Sequence, residues 1–418
     1  MQNENDFPTS NEAKGNLLYV YDIRLANHPY IKDLNIDSDN KFSHIIITGR
    51  NGVGKSTLLE QLLQAIEKGK KELDTYKNNS FWRKDYLETK QKYDRETDSL
   101  VKQSLHNKLQ SDLSTVNFHA SFCDVKFNSP KAVHLKTHGS TVIAYFPAKR
   151  INQVNQISNI GAPEVKVSNP KEDLARTFIQ HLANCRSQLA FAESDGDIED
   201  SASLRQWFNN LDSFFTEIFE EETKLIFNRK TFSYTMQKAD GSSVDMNHLS
   251  EGYAAVVKIV SEIIMRMESI ERGNFTLPGI VLIDEIETHL HVSLQKKILP
   301  MLKQFFPNIQ FIVTTHSPFV LQSIEDALIF DQESNQTIDQ ADKLWKYSYE
   351  ALIDGYFEVD KFSNILRDKI LKYKELTSGQ ELDRVEKKEL RQLKKELENV
   401  PTFKNATIET ELKQLGLK

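Results

Sequence analysis

The segment that most constrains this chain is GRNGVGKST, Gly49 to Thr57, set between an apolar run and a helical one. Before it, His44 to Thr48 carries three consecutive isoleucines, as expected of a strand buried on both faces. After it, Leu58, Leu59, Leu62, Leu63 and Ile66 recur at helical spacing. Strand, glycine-rich turn and helix in that order point to one chemistry. Glycines let the backbone curl so that successive N–H groups face phosphate oxygens, and the helix N-terminus adds the positive end of its dipole. The pattern G-x-x-x-x-G-K-S/T assigns Lys55 to the β- and γ-phosphates and the Ser56 hydroxyl to Mg2+. Gly49, Asn51, Gly52, Gly54 and Thr57 complete the expected nucleotide-binding loop.

A phosphate loop alone does not separate a kinase, a GTPase and an ATPase, but three later segments do. GIVLIDE, Gly279 to Glu285, is an apolar strand that delivers Asp284 to hold Mg2+. Glu285 follows directly, placed to polarise an attacking water as a general base. FIVTTHSP, Phe311 to Pro318, is a further buried strand that ends beside His316, a candidate catalytic donor to the γ-phosphate. HLSEGYAAVV, His248 to Val257, sets Ser250 and Gly252 at a helix start, another anion-binding arrangement. Each also has a plainer reading: a strand ending in solvated acids, a structural histidine, an ordinary N-cap.

The rest of the chain frames these motifs. At 418 residues, two or three packing units are expected. With 39% hydrophobic and 27% charged residues a real core forms, and a net charge of −7 argues against coating nucleic acid through bulk charge. Mean hydropathy is −0.50 and no run of about 18 apolar residues occurs, so no membrane-spanning helix is expected. Cys123 and Cys185 are too few for a disulfide framework. A soluble cytoplasmic protein is the expectation. Strands are read at Leu17–Ile23, Ile31–Ile36 and Thr141–Phe146, and helices at His248–Arg272 and Val292–Phe305. Two helical segments are split by the acidic stretch Glu193 to Asp200, and short β segments follow at Lys224–Phe227 and Thr231–Gln237. Alternation of strand and helix around the motifs argues for parallel strands in an α/β core. The organisation expected is a first core part over 1–66, a charge-rich helical insertion over 67–120 and a second core part over 121–170. A helical/β subdomain over 171–247, a third core part over 248–331 and a helical, partner-binding C-terminal region over 332–418 complete it. The insertion, at about 50 residues, makes a hairpin only about 35 Å long, and its charge reads first as a solvated face.

In this order the four motifs resemble the ABC-type ATPase superfamily, with LSEGY similar to its signature motif. The phrase LIDEIETHLH, Leu282 to His291, resembles the RecF-like and OLD-like branch, AAA_21-like domains included, rather than the transporters. The resemblance implies an α/β, ABC-type nucleotide-binding core with a helical insertion and a helical C-terminal region. It implies ATP and Mg2+ as cofactors, and hydrolysis of ATP to ADP and phosphate. It further implies a head-to-tail dimer, or a larger assembly of such dimers, in which Ser250 and Gly252 act in trans. Glu287 to His291 would then cross the interface.

Two departures stand out. Glu251 and Tyr253 occupy positions where transporters carry Gly and Gln, which suggests slow or conditional turnover. The Mg2+-sensing glutamine is not obvious: Gln153 and Gln156 are candidates, with Arg150 as the alternative group that reaches the nucleotide. No Asp-x-Asp pair of an OLD-type nuclease follows Ser323. The phrase Ala351 to Ile370 resembles standalone ATPases of bacterial anti-phage systems, the Septu type first and the PARIS type next. That resemblance implies a separate nuclease effector such as an HNH protein, contact with DNA through the complex, and no membrane partner. The competing expectation is a RecF-like repair ATPase that clamps DNA directly through Lys68 to Lys108 and Lys149–Arg150.

Overall fold

Ile45, Ile46 and Ile47 lie in the interior of a six-stranded sheet, which is why every residue of their strand is buried. In a computed structural model of the chain, the described residues are 17–68, 75–119, 122–128, 141–150, 161–163, 167, 169–230, 233–338, 344–349, 351–352, 364–378, 383–399 and 412–416. They fall into two units, Met1–Tyr347 and Ser348–Lys418.

The first unit opens with β1 (Val20–Leu25), β2 (Leu34–Asp37), β3 (His44–Thr48) and α1 (Lys55–Lys68). The insertion is α2 (Thr75–Arg95) and α3 (Ser99–His119). Then come β4 (Cys123–Phe127), β5 (Val142–Phe146), α4 (Phe178–Asp195), α5 (Ile198–Phe219), β6 (Thr223–Asn228), β7 (Ser233–Lys238) and β8 (Ser243–Asp245). The last stretch holds α6 (Glu251–Glu268), β9 (Gly279–Ile283), α7 (Val292–Gln295), α8 (Ile298–Phe305), β10 (Ile309–Thr314), α9 (Pro318–Leu321), β11 (Ala327–Asp331) and β12 (Gln336–Ile338).

The main sheet runs β12-β11-β3-β10-β9-β5. Five of its strands are parallel, and only the edge strand β12 is antiparallel. β3, β5, β9 and β10 are buried along their whole length, so they read as unbroken apolar runs rather than alternating ones. One face of the sheet packs on α1 and on the antiparallel sheet β2-β1-β4, through Ile45, Ile47, Leu58, Leu62, Ile280 and Leu282. α2 and α3 join this core through Tyr86 and Val116 and are pinned to each other by Thr89, whose hydroxyl donates to Asp112 at 2.6 Å. A third sheet, β6-β7-β8, is antiparallel. The acidic stretch makes the corner between α4 and α5: Gly196 ends α4 in the left-handed region, and Asp197 caps α5 by accepting from the Asp200 amide.

The second unit holds α10 (Asn364–Ser378) and α11 (Arg384–Glu398), joined by Ile370, Tyr373, Leu376, Leu393 and Leu397. Asp383 and Glu386 form a reciprocal capping box at the start of α11.

Several elements differ from the sequence reading. Val292–Phe305 is two helices, α7 and α8, not one. The long helix begins at Glu251 because Met246–His248 forms a separate 3-10 turn, and it ends at Glu268. The strand read from Ile31 begins at Leu34. Residues just beyond 332 do not turn helical: the antiparallel pairing of β12 with β11 draws Gln336–Ile338 into the main sheet as its edge.

Candidate functional site

The carboxyl ends of the parallel strands carry the motif residues, the usual place for a ligand crevice in an open α/β sheet. β3 delivers the phosphate loop. Gly49, Gly52 and Gly54 have φ of +130°, +86° and +97°, a region that side chains resist. Gly54 has a second reason to be glycine, since a Cβ there would lie 3.0 Å from Ile31 Cγ1. Lys55 begins α1 and is buried, with its Nζ donating to the carbonyl oxygens of Gly49 and Arg50 at 2.9 Å each. Burial pulls its amine below the ordinary lysine range, against the opposing pull of Glu285, Glu287, Asp284 and Asp331. Asn51, Gly52 and Ser56 are exposed, Gly49 is buried and Thr57 is half-buried.

Sequence reasoning missed a brace on this loop. The Gln332 side chain donates to Val53 O at 3.0 Å, and its amide donates to Thr48 O. Glu333 pairs with the Arg50 guanidinium at 3.4 Å. Neither residue belongs to a recognisable pattern; only the pairing of β11 beside β3 places them there.

β9 delivers the two acids. Asp284 is buried and accepts from the Thr314 hydroxyl at 2.6 Å. The same hydroxyl accepts from the Glu285 amide at 2.7 Å, so the end of β10 holds both acids in register. Glu285 has φ of +45°, uncommon for a residue with a side chain. Its carboxylate accepts from Thr288 Oγ1 at 3.1 Å. Within the chain Glu287 reaches the segment that follows β10: it accepts from Thr315 Oγ1 at 2.8 Å and from the His316 amide at 2.5 Å.

His316 Nδ1 lies 3.4 Å from Lys55 Nζ. An ammonium has only donors, so a hydrogen bond from Lys55 makes Nδ1 the acceptor in the tautomer that carries its proton on Nε2, and the ring is also hydrogen-bonded to the Gly49 backbone. Burial, reinforced by Lys55, holds the ring below the ordinary histidine range and therefore neutral near pH 7. The oxygen set of the exposed Ser56 hydroxyl and the Asp284 carboxylate suits Mg2+, a hard cation that keeps several waters.

Ser250 and Gly252 sit elsewhere. Ser250 is the exposed N-cap of α6, and its side chain makes no cap hydrogen bond. With Gly252, Tyr253, His289, His291, Ser293 and Leu294 it lines a cleft of about 280 Å³ that contains no phosphate-loop residue. Gly252 permits a close approach, because a Cβ there would lie 2.9 Å from the His289 carbonyl oxygen. Glu251 pairs with His289 Nδ1 at 3.3 Å across the same contact. Lys55, Asp284, Glu285 and His316 are thus brought to one sheet edge, and Ser250 and Gly252 are not. Gln153 and Gln156 lie outside the described residues. Arg150 is described, and its Nη2 donates to Asp284 O at 2.9 Å and also to Glu285 O.

A family model described as "AAA domain, putative AbiEii toxin, Type IV TA system", AAA_21, matches residues 65–322. The chain belongs to this family. The matched span takes in the acid strand, His316 and the signature-like segment, with the phosphate loop just upstream. The chain is 24% identical over 333 residues to the Septu protein PtuA of Bacillus mycoides (strain KBAB4), covering 77% of this chain and 42% of that one. It therefore spans less than half the length of that relative. It is 21% identical to the Septu protein PtuA of Bacillus thuringiensis, over 70% of this chain and 73% of that one. A third relative, "Retron Ec83 probable ATPase" of Escherichia coli, is 34% identical over 136 residues, 30% of this chain and 25% of that one. Among the described residues no helix is long and apolar enough to cross a membrane.

Proposed function

We propose that this AAA_21 chain hydrolyses ATP in a nucleotide-dependent dimer and that the cycle controls a separate effector, a nuclease, in bacterial anti-phage defence. The observation that carries the ATPase reading is the meeting of Lys55, Asp284, Glu285 and His316 at the ends of the adjacent strands β3, β9 and β10. The loop amides and Lys55 hold the β- and γ-phosphates. Ser56 and Asp284 hold Mg2+, which when bound offsets charge developing on the phosphate oxygens. Glu285 takes the proton from the attacking water, and His316 donates to the γ-phosphate through a ring N–H. For Lys55, the exchange of two carbonyl acceptors for phosphate oxygens stabilises the charged amine that burial disfavours.

Ser250 and Gly252, remote from this loop in their own cleft, face the nucleotide of a second copy in this reading. The defence role and the nuclease partner draw on the likeness to the Septu PtuA proteins and to a retron ATPase. Residues 67–120 and the C-terminal region beyond β12 are the additions to the core that meet the partner. The cytoplasm is the compartment this role requires.

Two measurements test the proposal. ATP turnover by the purified chain should need Mg2+ and should coincide with a doubling of mass in light scattering when ATP is present. Co-expression with the neighbouring genes should bring down a nuclease at fixed stoichiometry. A chain that stays monomeric in ATP and binds duplex DNA steeply with falling salt overturns it in favour of a direct DNA clamp.

A further inference from the structure

Among the described residues of the first unit two arginines are buried, and they use their donors differently. Arg266, 1% exposed, engages its whole fork: Glu262 takes Nε, Ile143 O and Asn169 O take Nη1, and Pro170 O and Glu172 O take Nη2. That is how a guanidinium with a purely structural task is made tolerable inside a protein. Arg150, 9% exposed, donates through Nη2 alone, to the carbonyl oxygens of Asp284 and Glu285. Its Nε and Nη1 are buried without a partner. Burial with so little compensation lowers it to about 10, against the pull of Glu287, Asp284 and Glu285. A group that costly, gripping the backbone of the two acids, is poorly explained as packing.

The backbone it grips is the unusual one. Glu285 leaves β9 with φ of +45°, while its amide is held from the other side by Thr314 Oγ1. Arg150 on the carbonyl side and Thr314 on the amide side together pin the peptide units flanking the Glu285 Cα.

We propose that Arg150 is the positioning residue of Glu285, holding the left-handed backbone from which that carboxylate reaches the attacking water. The proposal rests on the reading of Glu285 as general base. Without the guanidinium fork, the Asp284–Glu285 carbonyls are released and Glu285 relaxes toward an ordinary φ. Its carboxylate then leaves the line of attack while the phosphate loop, held by its own contacts, still binds ATP.

The test compares Arg150→Lys, Arg150→Gln and Glu285→Gln in the full chain, with folding checked by circular dichroism and thermal melting. A single ammonium does not reproduce the fork, so Arg150→Lys should lower kcat about tenfold or more, with KM for ATP within about threefold. Arg150→Gln should lose at least as much; if it does not fold, Arg150→Lys decides alone. Placed on Glu285→Gln, Arg150→Lys should add no further loss, whereas a merely structural arginine would add its own. A folded Arg150→Lys with the wild-type kcat, or with its loss confined to KM, overturns the proposal. If Glu285→Gln itself turns over ATP at the wild-type rate, the general-base reading fails instead.

Discussion

Lys55 and Ser250 both stand at the start of a helix, where unpaired amides and the helix dipole favour an anion, yet their surroundings differ. Lys55 is buried and its ammonium is engaged by two carbonyls, with His316 beside it. The acids opposite it are held by Thr314, and the loop is braced by Gln332 and Glu333. Ser250 is exposed, with its cap hydroxyl unused, at the edge of an open cleft. One half is organised in advance for phosphate. The other carries the same kind of anion-binding helix start with nothing from its own chain's phosphate loop in reach. That asymmetry is the one the proposed site, shared with a second copy, calls for.

The contrast can be broken in several places. The largest effect belongs to the organised half: Glu285→Gln should lower kcat about 10²- to 10⁴-fold and leave ATP-bound dimers that persist on size exclusion. Wild-type turnover would remove Glu285 from the chemistry. The open half is tested next. Ser250→Arg, at an exposed position, should leave ATP binding by the single chain intact and lower hydrolysis at least about tenfold. Mixed with an inactive Lys55→Ala chain it should recover part of the activity, because a heterodimer then contains one intact composite site. Absence of recovery would place Ser250 outside any shared site.

A smaller effect concerns the seam between α6 and the segment after β9. Gly252→Ala puts a Cβ 2.9 Å from the His289 carbonyl and should destabilise the fold by about 1–3 kcal/mol in urea titration. A neutral result would mean that this seam yields freely. The last prediction lies in the frame that both halves share. His44 Nδ1 accepts from the Phe311 amide, and burial lowers the ring to about 4 from 6.5. As pH falls, the unfolded chain takes up this proton first, so the stabilisation is complete above about pH 6.5 and lost toward pH 4. The slope is about 1.4 kcal/mol per pH unit. His44→Gln should flatten the acid limb of a stability–pH curve by about that amount, and an unchanged limb would place the titrating group elsewhere.

The legible parts of this protein were those whose requirement is local. A buried strand needs an apolar run, and a phosphate loop needs glycines at positive φ; each is met by neighbouring residues, at Ile45–Ile47 and Gly49–Gly54. The α/β class followed from strands alternating with helices. Short or two-sided elements were harder. β12, only Gln336–Ile338, has no periodicity of its own and exists because β11 offers it an edge. Helix propensity across Lys296–Lys297 did not reveal the break between α7 and α8.

Sequence alone therefore located the candidate residues: Lys55 and Ser56 in a glycine-rich loop between strand and helix, Asp284 and Glu285 at the end of an apolar strand, and His316 after another. Tertiary structure decided which groups meet. It set the order β11-β3-β10-β9-β5, which lays Gln332 over the phosphate loop, Thr314 between the two acids and Arg150 behind them. It also sent Glu287 back to His316 and closed Glu251 on His289. The reason is that neighbours along the chain specify a strand or a turn, whereas strand order arises from burying many apolar faces at once, and no short stretch of sequence encodes that.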